Sequence, residues 1–303
     1  MGKVMVFYEY EIDDQMENED DLDGLDFGSA EDLVISNSDW TVDTVISQVK
    51  KGNIFLDPNF QRRDAWTNQR KSKFIESLFL GIPIPQLVLS ELPSQKGRYI
   101  VLDGKQRLIT LMQFASNEPD KYGSLRIGKL EIRKDLSGKT LSKMLDSGID
   151  LDVFENQPIR TAVIKNCKNE NFLYHIFLRL NTGSLPLSTQ ELRQALNAGT
   201  VTQYLDDKSA ESDCMKQIFN TTKPDFRMRD AELLLRYFSF RFRIKKYKGN
   251  LKIFMDESLK EFDENWVFYK DKLDSAFVDL EKSHSLAVKV FGDDVYQKWN
   301  GNK

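Results

Sequence analysis

The residues best suited to chemistry lie together in Asp103-Gly104-Lys105-Gln106-Arg107. Before them, Tyr99–Leu102 is a short apolar run with the composition of a buried strand. After them, Leu108, Leu111, Met112 and Ala115 recur at helical spacing. A strand that passes through one glycine into a helix leaves unpaired backbone N–H groups and the positive end of the helix dipole facing outward. Gly104 allows close backbone approach, Arg107 supplies a planar cationic fork one turn in, and Asp103 places a carboxylate at the strand's end. That combination suits a phosphate chain accompanied by a metal ion, Mg2+ on Asp103 being the hard-cation choice. The competing reading is structural, with Asp103 capping the helix and Arg107 pairing with a surface acid.

The flanking chain must position this turn. Val42, Val45, Ile46 and Val49 share one helical face, which predicts a helix opened by Ser38-Asp39-Trp40-Thr41 and ended by Gly52. Ile54-Phe55-Leu56 is strand-like. Phe74, Ile75, Leu78 and Phe79 predict a helix from Thr67 to Gly81, which Pro83 and Pro85 forbid from continuing. Leu87–Leu89 reads as a strand, with Gly97 marking the turn into the next one. Lys129–Ile132 and Thr161–Ile164 read as further strands around a short helix at Leu136–Leu145. This irregular mixture predicts an α+β domain rather than a doubly wound sheet. From Glu170 onward the pattern is helical, with a capping box at Ser188-Thr189-Gln190-Glu191. The expected division is an acidic, largely disordered leader over 1–35, an α+β domain over 36–168 and an all-helical domain over 169–303.

The net charge of −4 conceals a strong asymmetry. Residues 4–49 hold 14 acids and no lysine or arginine, whereas the chain from Lys50 carries 42 basic and 33 acidic residues. A basic body suits polyanions such as nucleotides and DNA, although scattered solvated charge sums the same way. Arg229, Arg236 and Arg243 recur every seven residues, a stripe able to track a DNA backbone or to form a salt-bridged helix face. Two cysteines, Cys167 and Cys214, supply neither a disulfide framework nor a zinc cluster. The apolar runs are too short to span a membrane, and the N-terminus does not read as a secretory signal, so a cytoplasmic protein is expected. No Gly-x-x-x-x-Gly-Lys-Ser/Thr loop occurs.

Four motifs in order carry a family resemblance. They are Gln61-Arg62 with Trp66, Leu80-Gly81-Ile82-Pro83-Ile84-Pro85, Val101–Leu108, and Arg179-Leu180-Asn181-Thr182-Gly183 running on to Leu187-Ser188 and Glu191-Leu192-Arg193. Together they resemble the N-terminal domain of GmrSD-type restriction endonucleases over most of residues 38–240. The resemblance implies a ParB/sulfiredoxin-like fold, in which a Gly-x-x-Arg turn contacts nucleotide phosphates. Here the matching residues are Gly104 and Arg107. Where the family usually has a second glutamine this chain has Lys105, which adds charge beside the phosphate site.

The resemblance further implies binding and hydrolysis of a nucleoside triphosphate with Mg2+ and a role in bacterial restriction. It also implies an HNH nuclease module, which a chain with two histidines, His175 and His284, is not expected to hold. A separate nuclease subunit and DNA are therefore the implied partners. Asp103 is the candidate for the metal or the attacking water, and Gln106 for orienting that water or fixing Arg107. Gln61 and Arg62 belong by resemblance to the pocket or a DNA-sensing surface. Asn181 and Gly183 line the pocket from the helical side, or simply end a helix. Glu191 reads first as a capping-box residue and second as a general base.

Overall fold

The computed structural model describes residues 33–56, 64–92, 95–116, 118–167, 169–180, 188–292 and 295–296. The acidic leader up to residue 32 lies outside this set, as do Gln61, Arg62, Asn181 and Gly183.

The fold is α+β. Four strands, β1 (Val34–Thr41), β2 (Leu87–Leu92), β3 (Gln95–Asp103) and β4 (Pro158–Lys165), form one sheet in the order β1-β4-β2-β3. β4 is antiparallel to β1 and parallel to β2, and β2 and β3 form an antiparallel hairpin. Between them run α1 (Val42–Lys50), α2 (Asn68–Phe79), α3 (Lys105–Ala115), α4 (Pro119–Tyr122), α5 (Leu141–Asp146) and α6 (Asp152–Glu155). The rest is helical: α7 (Glu170–Leu180), α8 (Thr189–Leu196), α9 (Thr200–Glu211), α10 (Asp213–Ile218), α11 (Arg229–Arg243), α12 (Leu251–Glu264) and α13 (Trp266–Phe291).

Successive strand residues point to opposite faces, and the two faces have different partners. Leu87, Leu89, Val101 and Val163 face a core shared with Val42 and Val45 of α1, Ile75 and Leu78 of α2, and Leu108 and Met112 of α3. Val88, Ile100, Leu102 and Ile164 face Leu173 and Tyr174 of α7 and Leu192 of α8. The sheet is thus a middle layer between helices. A separate core joins α9, α11, α12 and α13 through Leu205, Leu235, Phe238, Met255, Phe262 and Phe277. Among the described residues no helix is long and apolar enough to cross a membrane.

Several local expectations are corrected. Ser38–Thr41 ends β1 instead of opening a helix, and only Thr41 acts as the N-cap, accepting from Thr44 N at 3.2 Å. Ile54–Leu56 is not a strand; Ile54 makes one bridge to Tyr99. Gly97 lies within β3, next to a register irregularity, and its N–H donates to Glu91 Oε1 at 2.8 Å. Lys129–Ile132 forms no strand; side chains of α2 and a nearby serine hold the backbone in and beside this stretch. Gln69 Nε2 donates to Lys129 O at 2.8 Å, and Ser72 Oγ and Glu76 Oε1 accept from Gly128 N at 2.7 Å and Arg133 N at 2.8 Å. Ser137 Oγ takes Leu130 N at 3.0 Å.

Candidate functional site

The strand-to-helix turn forms as the residue pattern predicts. β3 ends at Asp103, Gly104 has φ +106°, and α3 begins at Lys105. Only glycine takes such a φ without strain. A Cβ on Gly104 would also overlap Leu87 Cδ2 and come within 3.1 Å of Arg107 Nη2. The turn is therefore held tight by packing on β2 as well as by backbone geometry. Because its N-cap is glycine, no capping side chain covers the first-turn amides of α3.

The charged groups around the turn are already engaged. Arg107 folds back so that Nη2 donates to Asp103 Oδ2 at 2.9 Å and to Gln86 O at 3.0 Å. Its buried Nε has no hydrogen-bond partner among the described residues. Asp103 stays nearly half-exposed, at 47% of its side chain. Lys105 Nζ turns the other way, to Glu191 Oε1 at 2.6 Å on α8. The two lysine and arginine charges are thus balanced by two carboxylates.

Gln106 has a positional task. Its Oε1 accepts from Ala65 N at 3.3 Å, which ties the segment before α2 to α3. The neighbouring Asp64 accepts from Gln113 Nε2 at 3.0 Å and pairs with the buried Lys71. Trp66, half-buried against the core, packs edge-on on Phe74 at 5.7 Å with Arg70 over its ring at 4.6 Å.

Beside the turn opens a small cleft whose mouth faces solvent. Phe55, Leu56, Val101 and Ala195 give it apolar walls; Lys105, Glu191 and Gln194 give it polar ones. Glu191 closes the expected capping box: its Oε2 accepts from Ser188 N at 2.8 Å while Ser188 Oγ accepts from Glu191 N at 3.1 Å. The Lys105–Glu191 contact joins residues 86 apart in sequence, and no local pattern could have revealed it.

Among the described residues no group of three or more His, Cys, Asp or Glu side chains could hold a metal. Mg2+ does not require such a group, since it commonly binds through one or two carboxylates together with substrate phosphates. Asp103, half-exposed beside uncapped amides and two cations, fits that donor set.

The arginines of α11 do not form an open stripe. Arg229 makes a fork on Asp225 Oδ2 at 2.6 and 3.0 Å, and Arg236 pairs with Glu232 at 3.0 Å. Arg243 is buried, bonded to Ser258 Oγ at 2.7 Å and paired with Glu261 at 2.8 Å. Seven-residue spacing does align them, but on a side where acids and α12 meet them. Histidine chemistry is similarly committed at His284, which is buried between Gln217 Oε1 at 2.8 Å and the Tyr296 hydroxyl at 3.0 Å.

No curated protein and no solved structure matches the chain. Residues 42–198 match the family model described as GmrSD restriction endonuclease, N-terminal domain, a span that holds the α3 turn and every residue lining the cleft. That match covers just over half of the 303 residues, and the protein belongs to the GmrSD restriction endonuclease N-terminal domain family.

Proposed function

We propose that this protein is a regulatory module of a restriction or anti-phage defence system that binds a nucleoside triphosphate with Mg2+ and hydrolyses it. Family membership supports the restriction context. The observation that carries the nucleotide reading is the α3 turn: a glycine at φ +106°, uncapped first-turn amides, and Arg107 held beside the glycine by Asp103 and Gln86. In this reading the amides, Arg107 and Lys105 receive phosphate oxygens, with the helix dipole favouring the negative charge. Asp103 holds the metal, which would supply charge neutralisation between phosphates. Asp103 is also placed to orient an attacking water. Gln106 acts by fixing residues 64–66 against the site, given its bond to Ala65. Gln61, Arg62, Asn181 and Gly183 enter this reading by resemblance alone.

The sheet and its turn are read as a ParB/sulfiredoxin-like unit, over residues 36–168, and the helices over 169–303 as the output region. With His284 engaged in the helical core, DNA cleavage is assigned to a separate nuclease subunit. The DNA contact is not assigned to Arg229, Arg236 or Arg243, which serve intrachain pairs. A second reading, a non-enzymatic nucleotide-gated module, is supported by the charges at the turn, where Lys105 and Arg107 each already hold a carboxylate.

Titration calorimetry with ATP, GTP, CTP and UTP in Mg2+ tests the reading. One triphosphate should bind, and Arg107→Ala should weaken it about tenfold or more, since a charge-assisted hydrogen bond contributes about 1.5–3 kcal/mol. Equal binding by wild type and Arg107→Ala would refute it. Phosphate release with and without DNA separates the enzymatic reading from the gated module.

A further inference from the structure

The cleft beside α3 ends in a buried cation whose anion is supplied by the protein itself. Lys105 and Glu191 have side chains only 13% and 6% exposed, with Nζ and Oε1 2.6 Å apart. Glu191 uses its second oxygen on Ser188 N at 2.8 Å. One carboxylate therefore neutralises the lysine and closes the cap of α8 at the same time.

We propose that Glu191 is an internal stand-in for a phosphoryl group: a phosphate entering the cleft takes Lys105 from Glu191, and the release of Glu191 loosens the first turn of α8. This inference rests on the reading of the α3 turn as a nucleotide site. Its chemistry is exchange of one oxyanion for another at an ammonium group, with no bond made or broken. A phosphate carries more charge than a carboxylate and offers more acceptor oxygens, so it competes well for a buried lysine.

The consequence reaches the helical region because α8 is a junction. Thr189 Oγ1 donates to Glu232 Oε2 on α11 at 3.3 Å, and Arg193 Nε donates to Asp256 Oδ1 on α12 at 2.6 Å. Asp256 is held in turn by Lys252 at 2.9 Å. Thr189 and Arg193 lie two residues either side of Glu191 on the same eight-residue helix. A change in how Glu191 is held is thus felt at both contacts.

The test uses substitutions of opposite charge effect on the full chain. Glu191→Gln keeps a capping-box side chain at this position but leaves the Lys105 cation unopposed. Lys105→Gln leaves the Glu191 anion unopposed. Calorimetry is run with Mg2+ and each of the four nucleoside triphosphates and inorganic tripolyphosphate. Glu191→Gln should bind about tenfold tighter and Lys105→Gln about tenfold weaker, within the ordinary range of intersite coupling. The double variant should return towards wild type. In wild type, ligand should speed hydrogen exchange at the amides of residues 188–193, and in Glu191→Gln that change should shrink.

Shifts of the same sign in both variants would mark the pair as structural and overturn the inference. Binding unchanged within twofold in both would overturn it too, while the nucleotide site at Arg107 would stand. Absence of binding by every probe in wild type and Glu191→Gln would remove the nucleotide reading and this inference with it.

Discussion

Replacing Gly104 with alanine tests the turn on which the site is built. Two costs are separable. The first is conformational: φ is +106°, and an L-residue held in left-handed backbone costs about 1–2 kcal/mol. The second is steric: the new Cβ would overlap Leu87 Cδ2, and Leu87 is fully buried in the core. Overpacking of that kind costs about 1–3 kcal/mol. The sum, about 2–5 kcal/mol, is a large part of the roughly 5–15 kcal/mol that holds a typical domain folded. A thermodynamic cycle with Leu87→Val divides it. Valine lacks the δ-carbons, suits a strand, and by the precedent of single-methylene deletions costs about 0.5–1.5 kcal/mol alone. In that background Gly104→Ala should cost only its conformational share, about 1–2 kcal/mol. Urea unfolding followed by tryptophan fluorescence would report all four corners of the cycle. A Gly104→Ala cost below about 1 kcal/mol in wild type would refute the positive-φ turn. Equal costs in both backgrounds would refute the Leu87 contact.

Two further outcomes follow from groups elsewhere, the half-buried Asp256 and the buried cysteines. Burial pushes the Asp256 carboxyl up, but Arg193 and Lys252 beside it more than compensate and hold it below the usual carboxylate range. A depressed folded value means that its stabilisation is full above about pH 4 and is lost as pH falls through the folded value. Asp256→Asn should therefore cost about 1–3 kcal/mol at pH 7, and its deficit against wild type should shrink at pH 3; urea unfolding at both pH values checks this, and an equal deficit would refute it. Burial, with a smaller push from Glu281, raises the Cys214 thiol to about 12, and burial raises Cys167 as well. Neither thiol should react with an aromatic disulfide reagent at pH 8 in the folded protein, whereas both should react in denaturant; rapid native labelling of Cys214 would contradict its placement.

What could be read from the residues was local. The strand-glycine-helix turn at Gly104, the α2 helix starting about Thr67, and the Ser188–Glu191 capping box all depend on contacts within a few positions, and all formed. What escaped depended on distant partners. β1 reads VISNSDWT, too polar to announce a strand, and its pairing residues on β4 lie more than a hundred positions away. Lys129–Ile132 reads as a strand by its residues, but α2 side chains some sixty positions earlier hold the backbone at Lys129 and at the adjoining Arg133 instead. The α11 arginines have helical periodicity that fixes their alignment and says nothing about the acids that meet them. Arg229 and Arg236 find local carboxylates at i−4, but Arg243 finds Glu261 on another helix. At the site itself, Arg107 and Asp103 are one turn apart and their pairing could be anticipated. The Lys105–Glu191 bond, which decides the charge of the cleft, could not.

The position of β4 has a consequence for how the chain is made. It lies between β1 and β2, so the β2–β3 hairpin and β1 meet only through a strand that begins at Pro158. A growing chain that has already emerged through α3 carries the finished turn sequence but an open sheet, with one long edge of β2 bare. Such edges invite pairing with other chains until they are covered. Ribosome-bound chains ending before residue 158 should therefore be vulnerable to proteases and to association, and those extending past residue 165 should not. The last strand in the sequence of the sheet is the one that turns two separate pieces into a single layer, and the Gly104 turn, already packed on β2, joins that layer only when β4 has left the ribosome.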